Sequence, residues 1–220
     1  FYKAGLSSIS AMKLCVLISE EFGVTVKTSD IHETNTVEKL EKYVMLAPKL
    51  RTYEKREVYP LTGSQKGIFA ECSKNPESTV YNIPFLFELD PTVDTRKLSD
   101  AIARMVSAHS YLLTQVYLDD NGEMVQRPGN ETFVPEVIET TNEKFASQKE
   151  SLVRPFKLEK GRLLRVAIYM TEDKKYLFTD FHHIIADGNS YDIIFEDINK
   201  AYMGEKLEKE SYTGFDAALD

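Results

Sequence analysis

The 220-residue sequence predicts an α+β protein in two parts, a short helical segment and a larger mixed one. Three observations carry that reading. Apolar residues recur at helical spacing through residues 1–46. A charged stretch without periodicity, Ala47 to Glu57 with Pro48 inside it, then reads as an interdomain connector. From Val58 onward, runs of β formers alternate with amphipathic stretches. With 42% apolar and 28% charged residues, the composition excludes a disordered or collagen-like chain.

The elements follow in order. Ser8 or Ser10 is placed to cap a first helix carrying Ile9, Met12, Val16 and the aliphatic run to Phe22, with Gly23 as its stop. Ser29 to Glu33 makes one short turn. Thr34-Asn35-Thr36 leads into a second amphipathic stretch with Val37, Leu40, Tyr43 and Val44 on one face. Forty-six residues are too few to hold a stable core alone. In the larger part, Ser64 to Cys72 reads as a short helix. Tyr81 to Leu89 reads as a strand, and Pro84 inside it points to a sheet edge or a bulge. Asp94 caps a helix carrying Leu98, Ile102 and Met105. Tyr111 to Leu118 reads as a strand that returns through the turn Asp119-Asp120-Asn121-Gly122 into Glu123 to Gln126. Asn142 to Leu152 is helix-like. Leu163 to Met170 and Tyr176 to Phe181 are two rich strands joined by a charged turn. Ser190 to Tyr202 closes the series as a helix with Ile193, Ile194 and Ile198.

Charge and cysteine content narrow the setting. Net charge is -8 with no basic run, which argues against a nucleic-acid surface. No window reaches about 18 uninterrupted apolar residues, so no membrane-spanning helix is expected. Phe1-Tyr2-Lys3 lacks the basic-then-apolar pattern of a signal peptide. Cys15 and Cys72 form no CxxC and read as buried or free thiols of a reducing, cytoplasmic compartment. The chain does not begin with Met, and Phe215 to Asp220 bring no closing signal, so it reads as a piece cut from a longer polypeptide.

The sharpest local feature is Phe181-His182-His183-Ile184-Ile185-Ala186-Asp187-Gly188. Two adjacent histidines end an apolar strand, and an acid and a glycine follow after three residues. Strand ends that open into loops are common places for reactive groups. A histidine there can act as a general base or hold a donor toward developing charge. Strand neighbours point to opposite faces, so His182 and His183 cannot both face one site, and one is structural. The plain alternative is two satisfied histidines and an ordinary turn. His183 and Asp187 could ligate zinc, but no third ligand of matching spacing is near, and no metal is expected. His32 reads as a surface residue and His109 as isolated.

This HHxxxDG string resembles the hallmark of the condensation domains of non-ribosomal peptide synthetases, which share a fold with chloramphenicol acetyltransferase. Tyr59-Pro60-Leu61-Thr62-Gly63-Ser64-Gln65 resembles the opening condensation motif. Pro155-Phe156-Lys157-Leu158-Glu159-Lys160-Gly161-Arg162-Leu163-Leu164-Arg165 resembles the stretch that precedes the histidine strand. Phe1-Tyr2-Lys3-Ala4-Gly5-Leu6-Ser7-Ser8-Ile9 resembles the attachment motif of a peptidyl carrier protein, with Leu6 in place of its second glycine. Together these span most of the chain.

The resemblance implies a partition. Residues 1–46 would be the C-terminal part of a carrier, with its first helix upstream of Phe1. Residues 47–57 would be the linker. Residues 58–220 would be the chloramphenicol-acetyltransferase-like N-terminal lobe of a condensation domain. Ser8 would carry 4′-phosphopantetheine. His183 would be catalytic, as general base or as positioning and electrostatic group. His182 would be structural, Asp187 a structural acid paired with an arginine, and Gly188 a point of close backbone approach. The partners implied are upstream and downstream carrier domains with their thioester substrates, the missing C-terminal condensation lobe and adjacent adenylation domains, with no nucleic acid and no membrane.

The reaction implied is amide-bond formation between carrier-bound acyl groups in secondary-metabolite biosynthesis, with this piece alone inactive. Two alternatives stand beside it. One is an epimerization domain, against which Tyr191-Asp192 departs from the Trp-Arg typical there. The other is a non-catalytic carrier-docking module. Ala108-His109-Ser110-Tyr111-Leu112-Leu113-Thr114 lacks both arginines of the second condensation motif, at Ala108 and Leu113. Arg104, Arg162 or Arg165 would then have to pair with Asp187. Asn189-Ser190 replaces the common Trp-Ser.

Overall fold

The computed structural model describes residues 1, 5–49, 53–159, 161–210 and 212–219, and divides into two units at Glu54/Lys55. Tyr2, Lys3 and Ala4 of the carrier-like motif, residues 50–52 of the connector, Lys160 and Asp220 lie outside the described residues.

The first unit holds three helices: α1 (Ser8–Phe22), α2 (Thr28–Thr34) and α3 (Val37–Leu46). The cap of α1 is Ser7, one residue before the expected serines: its Oγ accepts the N–H of Ser10 at 3.1 Å. Ser8 is thereby the first helical residue. Gly23 ends α1 at φ 63°, a left-handed position that glycine adopts without cost. Thr36 caps α3. The expected single turn at Ser29 to Glu33 is a full short helix, α2. Ala11, Cys15, Ile18, Val24, Val26, Ile31 and Leu40 form a buried cluster, so the small unit does close a core. Its limits show in the stripe Ile9, Met12 and Val16 along α1, which stays exposed. The connector begins later than its composition suggests. Pro48 O accepts the N–H of Thr25, and Lys49 bridges Val24, which ties residues 48 and 49 to the first unit.

The second unit is built on two sheets. A three-stranded antiparallel sheet has the order β1-β4-β3, from β1 (Tyr59–Pro60), β3 (Gln115–Leu118) and β4 (Met124–Arg127). A four-stranded sheet has the order β2-β7-β6-β5, from β2 (Asn82–Leu89), β5 (Glu136–Glu139), β6 (Leu164–Met170) and β7 (Lys175–His182). Its β5 runs parallel to β6 and the other pairs are antiparallel. The expected edge position of Pro84 holds: β2 is an outer strand, where a residue without an N–H leaves no inner bond unmade.

Strand alternation sorts the side chains of β6 and β7. Leu164, Val166 and Ile168 stand opposite Phe181, Thr179 and Leu177. Leu164, Val166, Ile168, Leu177 and Phe181 belong to the main core with α5 (Thr95–Ala108) and α7 (Gly188–Met203). On the other face, Arg165 stands opposite Asp180, and Tyr169 opposite Tyr176. There α6 (Asn142–Gln148) covers the sheet by stacking Phe145 on Tyr176 with ring centres 4.4 Å apart. A helix α4 (Gly63–Lys74) and a final turn α8 (Gly214–Ala217) complete the unit. Among the described residues no helix is long and apolar enough to cross a membrane.

Three further expectations need correction. The strand expected from Tyr111 starts only at Gln115, because Ser110–Leu113 is a 3-10 turn closing α5, with Leu112 buried in the core. The α6 helix ends at Gln148 and tightens into a 3-10 turn, Lys149–Ser151. His109 is not isolated. Its Nδ1 lies 2.7 Å from Glu210 Oε1 and its Nε2 lies 2.8 Å from Asp197 Oδ2. Neutral imidazole has one N–H, so a ring between two carboxylates needs both protons. The Glu210 bond is the largest cause of a raised His109 pKa, with burial opposing it and Asp197 adding to it. A folded pKa above the unfolded one contributes stability that is complete below about 6.5 and lost as pH rises through the folded value. His109→Gln should therefore cost about 1.5–3 kcal/mol at pH 6 and less at pH 9, measured by denaturant unfolding at both pH values.

Candidate functional site

The site grows from the end of β7. Phe181 and Asp180 are fully buried and point to opposite faces of the sheet. Asp180 Oδ2 accepts Arg165 Nη1 at 2.8 Å and Asn82 Nδ2 at 2.9 Å. Burial raises the Asp180 pKa, with the Asn82 bond and the Arg165 charge opposing it in part, and burial lowers the Arg165 pKa, with Asp180 opposing it in part. Arg165 also donates to the carbonyls of Arg154 and Pro155 and lies 3.6 Å over the Phe156 ring. The apolar and cationic residues of the Pro155–Arg165 stretch thus meet beneath the histidine strand.

His182 is the last strand residue and is 3% exposed. Its Nδ1 accepts the N–H of Ile184 at 3.1 Å, which places the ring proton of the neutral form on Nε2. Nε2 lies 3.6 Å from Cys72 Sγ on α4, and the Phe156 ring meets the imidazole edge-on. Burial, then the neighbouring His183 and Arg165 charges, push the His182 pKa down to about 4. His182 is therefore a neutral bracket for the turn.

His183 leaves the strand and is exposed. Its backbone N–H still donates to Tyr81 O at 2.8 Å, and its ring stands edge-on to Tyr81. The turn behind it is tied from both sides. Ile185 N–H donates to His182 O, and Ile184 O accepts Gln65 Nε2 at 3.0 Å. Gln65 sits in the first turn of α4, where its Oε1 and Thr62 form a reciprocal cap. Its amide also meets Gln126 and Tyr111, and burial pushes the Tyr111 pKa up to about 12. This buried cluster escaped sequence reasoning. Its one signal was the glutamine of the opening motif.

Asp187 stands at the start of α7. Its Oδ1 accepts Ser190 N–H at 3.0 Å, and its own N–H donates to Ser190 Oγ at 3.1 Å. The three arginines weighed for it are engaged elsewhere. Arg104 donates to Ala201 O and Glu205 O, Arg162 pairs with Glu131, and Arg165 pairs with Asp180. A helix cap is the described role of Asp187. A Cβ at Gly188 would meet nothing within 4 Å, so no close approach among the described residues demands that glycine. Among the described residues no three His, Cys, Asp or Glu side chains are grouped to hold a metal.

In the first unit, Ser8 is exposed at the N-terminus of the 15-residue α1. Because Ser7 takes the cap, the Ser8 hydroxyl is not committed to it. An exposed hydroxyl at a helix N-terminus fits a phosphodiester, whose charge the helix end favours.

The comparisons with known proteins give the family and the fold. The Condensation domain family matches residues 55–216, and the Phosphopantetheine attachment site family matches residues 1–44. Surfactin synthase subunit 1 of Bacillus subtilis (strain 168) is 30% identical over 218 residues, covering 94% of this chain and 6% of the relative. Tyrocidine synthase 3 of Brevibacillus parabrevis is 32% identical over 215 residues, covering 94% and 3%. The chain thus spans a small part of the length of these relatives. The condensation domain of the Monacolin K polyketide synthase MokA shares the fold, with a TM-score of 0.66, 20% identity, and coverage of 74% of this chain and 38% of that one. The X-domain solved with OxyB from teicoplanin biosynthesis has a TM-score of 0.67 and 22% identity, with coverage of 78% and 39%.

The neutral bracket makes stability depend on pH with the opposite sign to His109. A folded pKa below the unfolded one contributes stability present above 6.5 and lost as pH falls toward about 4. The full loss amounts to roughly 3 kcal/mol. His182→Gln should flatten the stability profile between those limits, as read by denaturant unfolding at pH 7, 6 and 5.

Proposed function

The chain belongs to the condensation-domain family, and on that premise we propose that its second unit is the N-terminal lobe of an amide-forming condensation domain. Residues 1–46 are then the C-terminal part of a peptidyl carrier protein, residues 47–57 the linker and residues 58–220 the lobe, with residues 48 and 49 packed on the carrier side. The observation that carries this reading is the division of labour in the histidine pair. His182 is buried and neutral, while His183 is exposed on a backbone tied at every residue from 182 to 185.

The reaction suited to that site joins an amine to a thioester. The amine nitrogen bonds to the carbonyl carbon, the carbon–sulfur bond breaks, and the proton shed by the amine balances the thiolate released. The His183 ring can accept that proton, or hold the amine by a hydrogen bond while charge develops on the carbonyl oxygen. Ser8 would hold 4′-phosphopantetheine, which when bound supplies a flexible thiol arm for the acyl group. The partners are upstream and downstream carriers with their thioesters, a C-terminal lobe that completes the site, and neighbouring adenylation domains. The setting is the cytoplasm, where Cys15 and Cys72 remain free thiols.

The test uses the longer protein containing both lobes and loaded carriers. His183→Ala should lower dipeptidyl-thioester formation by about 10²–10⁴-fold, and unchanged turnover would defeat the assignment. Exchange of the donor α-proton without condensation would point to epimerization, and carrier binding without turnover to a docking module. In the same protein, Ser8→Ala should abolish transfer of the phosphopantetheinyl group from coenzyme A, measured by intact mass, while Ser7→Ala should retain it.

A further inference from the structure

We propose that Gln65 is a positioning residue for His183, acting through the Ile184 carbonyl. This rests on His183 being the reactive imidazole. Ile184 follows His183 directly, and both of its backbone polar groups are claimed by side chains. The N–H donates to His182 Nδ1 at 3.1 Å, and the carbonyl accepts Gln65 Nε2 at 3.0 Å. The first bond is local. The second crosses 119 positions of sequence and ties this turn to α4, where Cys72 Sγ also lies 3.6 Å from His182 Nε2.

Gln65 suits that task because its amide cannot rotate freely. Oε1 accepts Thr62 N–H at 2.9 Å and Gln126 Nε2 at 3.1 Å. Nε2 faces Tyr111 Oη at 2.7 Å and Gln126 Oε1 at 3.1 Å besides the Ile184 carbonyl. Gln126 in turn donates to Pro60 O at 2.9 Å and is fully buried. One buried amide therefore joins the cap of α4, the three-stranded sheet and the histidine turn. Buried polar networks of this kind impose geometry because every lost partner leaves an orphaned group. With the amide gone, the Ile184 carbonyl is released and the backbone carrying His183 can drift. A misplacement near 1 Å is worth about 10²-fold in rate.

The experiment compares variants in the two-lobed protein with loaded carriers. Gln65→Met keeps the length of the side chain and removes its donor. We expect kcat to fall about 10–100-fold with KM for the carriers within about twofold. Adding His183→Ala to Gln65→Met should lower turnover no further than His183→Ala alone. Thr62→Val is the stability control. It loses the bond that Gln65 N–H donates to Thr62 Oγ1 but leaves the amide on Ile184, so it should lower the melting temperature and leave kcat unchanged. If Gln65→Met does not fold, Gln65→Glu at pH 8 keeps the size and the cap acceptor, lacks the N–H, and should show the same loss of kcat. A folded Gln65 variant with unchanged kcat overturns the inference and leaves the condensation reading standing. So does a Thr62→Val loss as large as that of Gln65→Met. Unchanged turnover in His183→Ala overturns the reading and this inference with it.

Discussion

The structure depends on β7 being buried along both edges and on both faces. It is paired with β2 and β6 over its length, and from Leu177 to His182 its side chains are all buried. Charged groups on a strand in that position need a partner or a neutral form, because burying an unpaired charge costs far more than one hydrogen bond returns. Asp180 is paired at Oδ2 through Arg165 and Asn82, while its Oδ1 and the neutral Thr179 Oγ1 have no hydrogen-bond partner among the described residues. His182 stays neutral and uses its bare nitrogen on Ile184. The site follows from this constraint. The last buried residue fixes the turn, and the next one, released from the sheet, presents its ring to solvent.

The two well-buried histidines show how environment, and not residue type, sets protonation. His182 is buried among apolar neighbours and a thiol with the Arg165 charge nearby, so its neutral form is favoured. His109 lies between two carboxylates, so its charged form is favoured. The first holds a turn as an acceptor. The second holds α5, α7 and the segment after α7 together as a double donor. Opposite slopes in stability against pH follow from identical side chains, and their sum makes the fold most secure where His182 is neutral and His109 still charged.

What was legible in the sequence was local or periodic. The period of two along β7 separates His182 from His183 without any structure, and the apolar spacing locates α5 and α7. Caps were legible by residue type and missed by one position at Ser7, since a run of three hydroxyl-bearing candidates offers several registers. The reading of Tyr111 to Leu118 as one strand failed because Leu112 is claimed by the core and Tyr111 by the Gln65 cluster. Tertiary contacts there override the β preference of the aromatic and aliphatic side chains. Long-range partners were invisible. Asp197 and Glu210 lie 88 and 101 positions from His109, and Ile184 lies 119 from Gln65, so no window of local pattern holds both members.

The departures from the family pattern take on a different meaning once Asp187 is placed. Ala108 and Leu113 stand where the motif has two arginines, and Asp187 caps α7. Asp187 and Ser190 exchange hydrogen bonds at the first turn of a 16-residue helix that packs Tyr191, Ile194 and Ile198 into the core. A cap of this kind contributes about 1 kcal/mol, and here it also sets where the helix starts relative to the histidine turn. Ser190 is the residue that makes the exchange possible, so the Asn189-Ser190 variation keeps the member that bonds. The missing arginines therefore do not by themselves unmake the site, because the turn that carries His183 is held by Gln65, His182 and the sheet, none of which involves Ala108 or Leu113.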